Sequence, residues 1–140
     1  MREAYGDANV IVCFLSDQLS SLAEESARLF REVAGGRLRV RVCTITPAEV
    51  VSVMASYFRR SLPEVAEVVA EPIIQDGIEA EEQEVLLVAL ALCREHDLDV
   101  AHALLAAKMP AGSCRAIHSF DRHFDRFAGV ERLWPGASNL

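Results

Sequence analysis

Between Ser20 and Ala34 the apolar and small positions Leu22, Ala23, Ser26, Leu29, Phe30 and Val33 recur three or four residues apart. That spacing predicts an amphipathic helix, and Gly35-Gly36 marks its end. Residues 38–45 (LRVRVCTI) alternate polar and apolar and then turn apolar, the pattern of a strand entering a core. The next segment opens on Thr46-Pro47-Ala48-Glu49. Thr46 reads as an N-cap, Pro47 as the first helical residue and Glu49 as the return member of a capping box. Val50, Val53, Met54 and Tyr57 carry this helix to residue 60, with Arg59 and Arg60 in its last turn, where positive charge complements the dipole.

Further helices are predicted at 63–71, starting on Pro63, at 79–95, with acids loaded into the first turn, and at 99–108, with Asp99 at its start. Residues 114–118 (CRAIH) read as a strand, 122–127 as a helical turn, and 130–133 as an edge strand before Trp134-Pro135. Asn9–Leu15 (NVIVCFL) is β-branched and reads locally as a buried strand, although a short apolar run fits a buried helix equally well. Strands alternating with helical patterns predict an α/β sandwich with a mainly parallel sheet. Ligand sites in such sheets lie beyond the carboxyl ends of the strands.

A chain of 140 residues corresponds to about one domain, 1–140, large enough to bury a core without disulfides or a structural metal. The longest apolar runs fall short of a membrane span. The start, MREAYGDANV, lacks the basic-then-apolar pattern of a secretory signal, and a cytoplasmic protein is expected. Cys13, Cys43, Cys93 and Cys114 form no C-x-x-C pair, lie in or beside apolar segments and read as small core residues of a reducing compartment. None of the four histidines has zinc-ligand spacing to them.

The net charge is −7, and all but one of the 14 basic residues are Arg, the exception being Lys108. The overall field therefore repels nucleic acid, and any nucleic-acid role needs a local basic patch or a metal-neutralised site.

Three acids follow strand candidates: Asp7 after Glu3–Gly6, Glu49 one turn into a helix, and Asp121 after 114–118. Each has a bland reading, as an Asx turn, a capping-box member and a turn cap respectively. If the strands are parallel neighbours, the three carboxylates converge at one sheet edge.

The segments Asp-Ala-Asn-Val-Ile at 7–11, Thr-Pro-Ala-Glu-Val-Val at 46–51, Leu-Asp-Val-Ala-His-Ala-Leu-Leu-Ala-Ala at 98–107 and Ser-Phe-Asp-Arg-His-Phe at 119–124 stand in this order along the chain. Together they resemble the PIN-domain family, and most closely its VapC-type toxins, over residues 3–135. The resemblance implies a three-layer α/β/α sandwich around a short, mostly parallel sheet, and cleavage of RNA phosphodiesters with Mg²⁺ or Mn²⁺. It implies that Asp7 is the first-strand metal ligand with Asn9 as polar neighbour, Glu49 the second acid, and Asp121 the acid of a Thr-x-Asp motif in which Ser119 keeps the hydroxyl. It also implies a homodimer, a cognate antitoxin protein, and a helix rather than a strand beginning at residue 9.

One position departs from the family pattern: the third acid is replaced by His102, in His102-Ala103-Leu104. Asp99 lies three residues earlier on the same predicted helix face, ~4.5 Å along the axis, and is placed in the acidic cluster as a fourth catalytic and metal-binding candidate. The plain alternative makes Asp99 an N-cap and His102 a partly buried histidine. Imidazole suits Mn²⁺ or Zn²⁺ better than Mg²⁺. Asp125 is a further acid candidate, expected to face solvent.

Phosphodiester cleavage needs charge neutralisation and an activated nucleophile, and a carboxylate-held divalent ion supplies both. Without a cation, clustered carboxylates repel, and at least one is expected to have a raised pKa. Arg122 and Arg126, four apart beside Asp121, are the preferred phosphate contacts, with Arg37, Arg39, Arg41, Arg59, Arg60 and Arg115 as others. The aromatic residues suggest no stacking platform for single strands. Two competing functions remain: a catalytically impaired PIN module that binds RNA or protein, and a receiver-like domain, which needs a Lys after a late strand where Lys108 does not fall.

Overall fold

A computed structural model describes residues 1–16 and 21–136. Strand β1 (Arg2–Tyr5) lies parallel to β2 (Leu38–Val42), with Arg2 opposite Leu38 and Tyr5 opposite Arg41. Strand β3 (Ile78–Ala80) pairs parallel on the other side of β2, with Val40 opposite Ile78. Strands β4 (Ala116–His118) and β5 (Glu131–Leu133) form a second parallel pair. Among the described residues the predicted single sheet is therefore divided into pieces of three and two strands.

Parallel neighbours require crossover connections, which helices supply here. Helices α1 (Ala8–Leu15) and α2 (Ser21–Ala34) link β1 to β2. Helices α3 (Ile45–Ser56) and α4 (Leu62–Ile73) link β2 to β3, and α5 (Gln83–His96) and α6 (Val100–Ala111) lead to β4. A 3-10 turn at Arg122–Arg126 joins β4 to β5. The fold is α/β with parallel strands.

Helix α1 settles the ambiguous apolar run against its local strand reading. The Asp7 carboxylate accepts from the Val10 amide at 3.3 Å and caps the helix. Ala8, Ile11 and Val12 are buried, a helical spacing, and the Phe14 ring stacks on Phe30 at 4.0 Å. Burial of one face thus outweighs the β preference of Val and Ile.

Helix α3 corrects the predicted capping box. Its N-cap is Thr44, without a side-chain bond, and Thr46, Pro47 and Ala48 are buried in the first turn. Pro47 is tolerated there because its missing N–H falls among groups that have no partner inside the helix. The helix ends at Ser56, so Arg59 and Arg60 lie beyond it. Helix α2 is found as expected from Ser21; Ser20 lies outside the described residues.

Strand β3 was not expected. The acid-rich start of 79–95 suggests one helix, but 78–80 pair with β2 and α5 starts at Gln83. Gly77 makes the turn into β3: its φ is +92°, and a Cβ there would lie 2.7 Å from Val33 Cγ1. The cysteine expectation holds for Cys93, which is buried, with its thiol pushed by burial up to about 11. Cys13 and Cys43 are half-buried, and Cys114 is exposed rather than part of the core.

Candidate functional site

The chain leaves β1 through Gly6, where a Cβ would come within 2.8 Å of Val40 Cγ1 on the neighbouring strand. Asp7 follows at once, exposed at the head of α1. Glu49 is exposed on α3 and shares one cavity of about 470 Å³ with Asp99, on walls that include Ile45, Ala48 and Val100. Asp99 caps α6: its Oδ1 accepts from the His102 amide at 3.1 Å. Asp121 follows β4 and caps the 3-10 turn, accepting from the His123 amide at 2.9 Å, while its own amide donates to Ser119 Oγ at 2.9 Å. The capping and functional readings of Asp7 and Asp99 are compatible, because each cap uses a single carboxylate oxygen.

The departure at position 102 lies between two of these acids. His102 Nδ1 sits 2.5 Å from Asp99 Oδ2 and its Nε2 sits 3.0 Å from Asp121 Oδ2. The other Asp121 oxygen, Oδ1, faces His123 Nδ1 at 2.5 Å. Acid and imidazole therefore alternate along Asp99, His102, Asp121 and His123. The His123 amide, with its imidazole second, holds the Asp121 carboxyl below the usual carboxylate range. The sequence suggests a raised acid; for Asp121 the shift is opposite, because the His123 amide and ring donate to its carboxylate.

The PIN domain family model matches residues 4–130. The chain belongs to the PIN-domain family. No curated protein matches the chain. PIN domains are in general nucleases that use divalent metals, so the residues of this PIN domain can be tested against such an ion. Carboxylates are the right donors for a hard cation, but their arrangement is not that of a metal site. Among the described residues, no three His, Cys, Asp or Glu side chains are grouped to hold a metal. The His102 ring occupies the space between Asp99 and Asp121, and both Asp121 oxygens face imidazole nitrogens. As the side chains stand, they do not fit the family's ion.

Glu49 and Asp99 thus meet through a shared cavity, and Asp99 and Asp121 through a shared imidazole. Asn9 is placed elsewhere, lining a groove with Leu22 and Leu29 of α2. Arg122 and Arg126 stand exposed at the two ends of the 3-10 turn. Arg37, Arg39 and Arg41 of the β2 region are ion-paired with Glu32, Glu79 and Glu3 respectively.

Arg132 is a residue that the sequence pattern did not single out. Its guanidinium grips both oxygens of Asp125, at 2.8 and 3.1 Å, and donates to the Ser119 carbonyl at 3.2 Å. The segment bearing Asp121 is fixed on both sides by this one side chain. Asp125 faces solvent as expected and is also half of that clamp, and Arg132 holds its carboxyl below the usual range. Phe120 and Trp134 are exposed and pair edge to face at 4.8 Å. They lie 14 positions apart in the sequence, too distant for local pattern to join them.

Proposed function

We propose that this chain is an endoribonuclease of the VapC type, which hydrolyses RNA phosphodiester bonds and is restrained by a small antitoxin protein, with Mg²⁺ or Mn²⁺ held once the His102 ring swings out from between Asp99 and Asp121. The reading places it in the cytoplasm as a homodimer. Its main support is that Glu49 and Asp99, distant along the chain, line one cavity and that Asp99 and Asp121 flank one imidazole, in a member of a nuclease family. The partner surfaces are supported by exposed apolar residues at the ends of α3, Ile45 and Tyr57. No helix of the described residues is long and apolar enough to cross a membrane.

His102 gives a second reading its own support. With both Asp121 oxygens facing imidazoles, the chain is also suited to be a catalytically impaired PIN module that binds RNA or protein. RNA cleavage in Mg²⁺, Mn²⁺ or EDTA separates the two, using wild type, Asp7→Ala and His102→Asp. The nuclease reading expects activity that EDTA and Asp7→Ala abolish and that His102→Asp raises, with metal affinity up by at least about ten-fold. Cleavage that survives EDTA would rule out the metal. A wild type that is inactive in either metal would favour the binding module.

A further inference from the structure

The 3-10 turn and the ends of β4 and β5 carry a feature that hydrolysis alone does not require. Phe120 is 66% exposed and Trp134 is 50% exposed, although both are large and apolar. Their rings meet edge to face, with centroids 4.8 Å apart and planes at 74°. An edge-to-face pair keeps ring faces open, whereas a stacked pair would cover them against each other. The backbone fixes the pair's place: the Ser119 amide donates to the Leu133 carbonyl at 3.1 Å, bringing the residue after β4 beside the end of β5. Phe120 is thus the residue between Ser119 and Asp121.

Charge indicates what could cover these faces. From residue 113 to 136 the chain has four Arg and three acids, a local excess of positive charge in a protein of net charge −7. One of those acids, Asp125, is neutralised by Arg132. Arg122 and Arg126 remain exposed on the turn. Flat apolar faces beside arginines, adjoining a candidate phosphodiester site, match a single strand, whose bases need a π surface and whose backbone needs cations.

We propose that Phe120 and Trp134 form a base-stacking platform that seats a nucleobase of single-stranded RNA next to Asp121. The ligand class rests on the nuclease reading above; the platform itself rests on the exposed pair. The contact is independent of cleavage and is read in EDTA.

Trp134 is the only tryptophan in the chain, so its fluorescence reports directly on this contact. A short single-stranded RNA titrated into the full chain should quench it. The Phe120→Leu and Trp134→Leu substitutions, checked for native folding by circular dichroism, should each weaken binding of a labelled oligonucleotide by about ten-fold, which is ~1.4 kcal/mol and within the range for stacking one base. An oligonucleotide with an abasic position at the seat should lose a similar factor toward wild type and almost nothing further toward Trp134→Leu. This arm requires no destabilised protein. RNA that is bound or cleaved with Trp134 fluorescence unchanged, and equally well by both variants, would overturn the platform and leave the nuclease reading intact. Loss of self-association in the variants with RNA affinity unchanged would assign the pair to a second copy and also overturn it. A wild type that neither binds nor cleaves RNA would overturn both.

Discussion

Asp99 has two tasks that substitution can separate. One oxygen caps α6 and the other faces His102. Asn caps as well as Asp does, so Asp99→Asn should melt close to wild type, whereas Asp99→Ala should lose about 1 kcal/mol in denaturant unfolding. A fall in RNA cleavage by Asp99→Asn at unchanged stability would assign the second task to the site. At this scale the sequence was informative about single residues: Asp99 and Asp121 head the segments they were expected to head, while Asp7, read as an Asx turn after the first strand, caps α1. It did not show how they are paired. Position 102 stood out as a departure, but a ring that reaches Asp121 from the first turn of α6 depends on the packing of β4 against that helix, which no local spacing encodes.

Elements were legible where one face repeats over several turns, and less so where they are short. Helix α2 follows its apolar period almost to the residue. Strand β3 has three residues, and its acidic flank resembles a helix start, so only its pairing with β2 defines it. Helix α1 is the opposite case, with a strong local β preference overruled by a capped, buried face. The turn at Gly77 makes the dependence of β3 on geometry testable. With φ at +92° and Val33, 2% exposed, against the absent Cβ, Gly77→Ala should destabilise the protein by at least ~1 kcal/mol, read as a lower denaturant midpoint. An unchanged midpoint would mean that the turn relaxes freely.

At the scale of the whole molecule, the exposed Ile45 and Tyr57 agree with a surface made for a partner, and sedimentation should show a dimer at micromolar concentration that Tyr57→Glu weakens. Ionic contacts impose a direction on stability against pH. Asp121 and Asp125 titrate below 3.8 in the fold, and Glu32 and Glu82 below 4.5, held there by His123, Arg132, Arg37 and Lys108 respectively. The unfolded chain therefore binds more protons in this range, so stability is full above these ordinary values and is lost as pH falls below them. Unfolding free energy should decline from pH 5 to pH 3, and less steeply in Asp125→Asn.

The most direct measurement is the rate at which Asp121→Asn cleaves single-stranded RNA in Mn²⁺, set against wild type at equal folded concentration. If the acids around His102 serve cleavage, the variant is slower by on the order of 100-fold or more, since a carboxylate that acts in the transition state is worth several kcal/mol. Wild-type cleavage retained at full rate by Asp121→Asn would show that the reaction takes place elsewhere on the molecule.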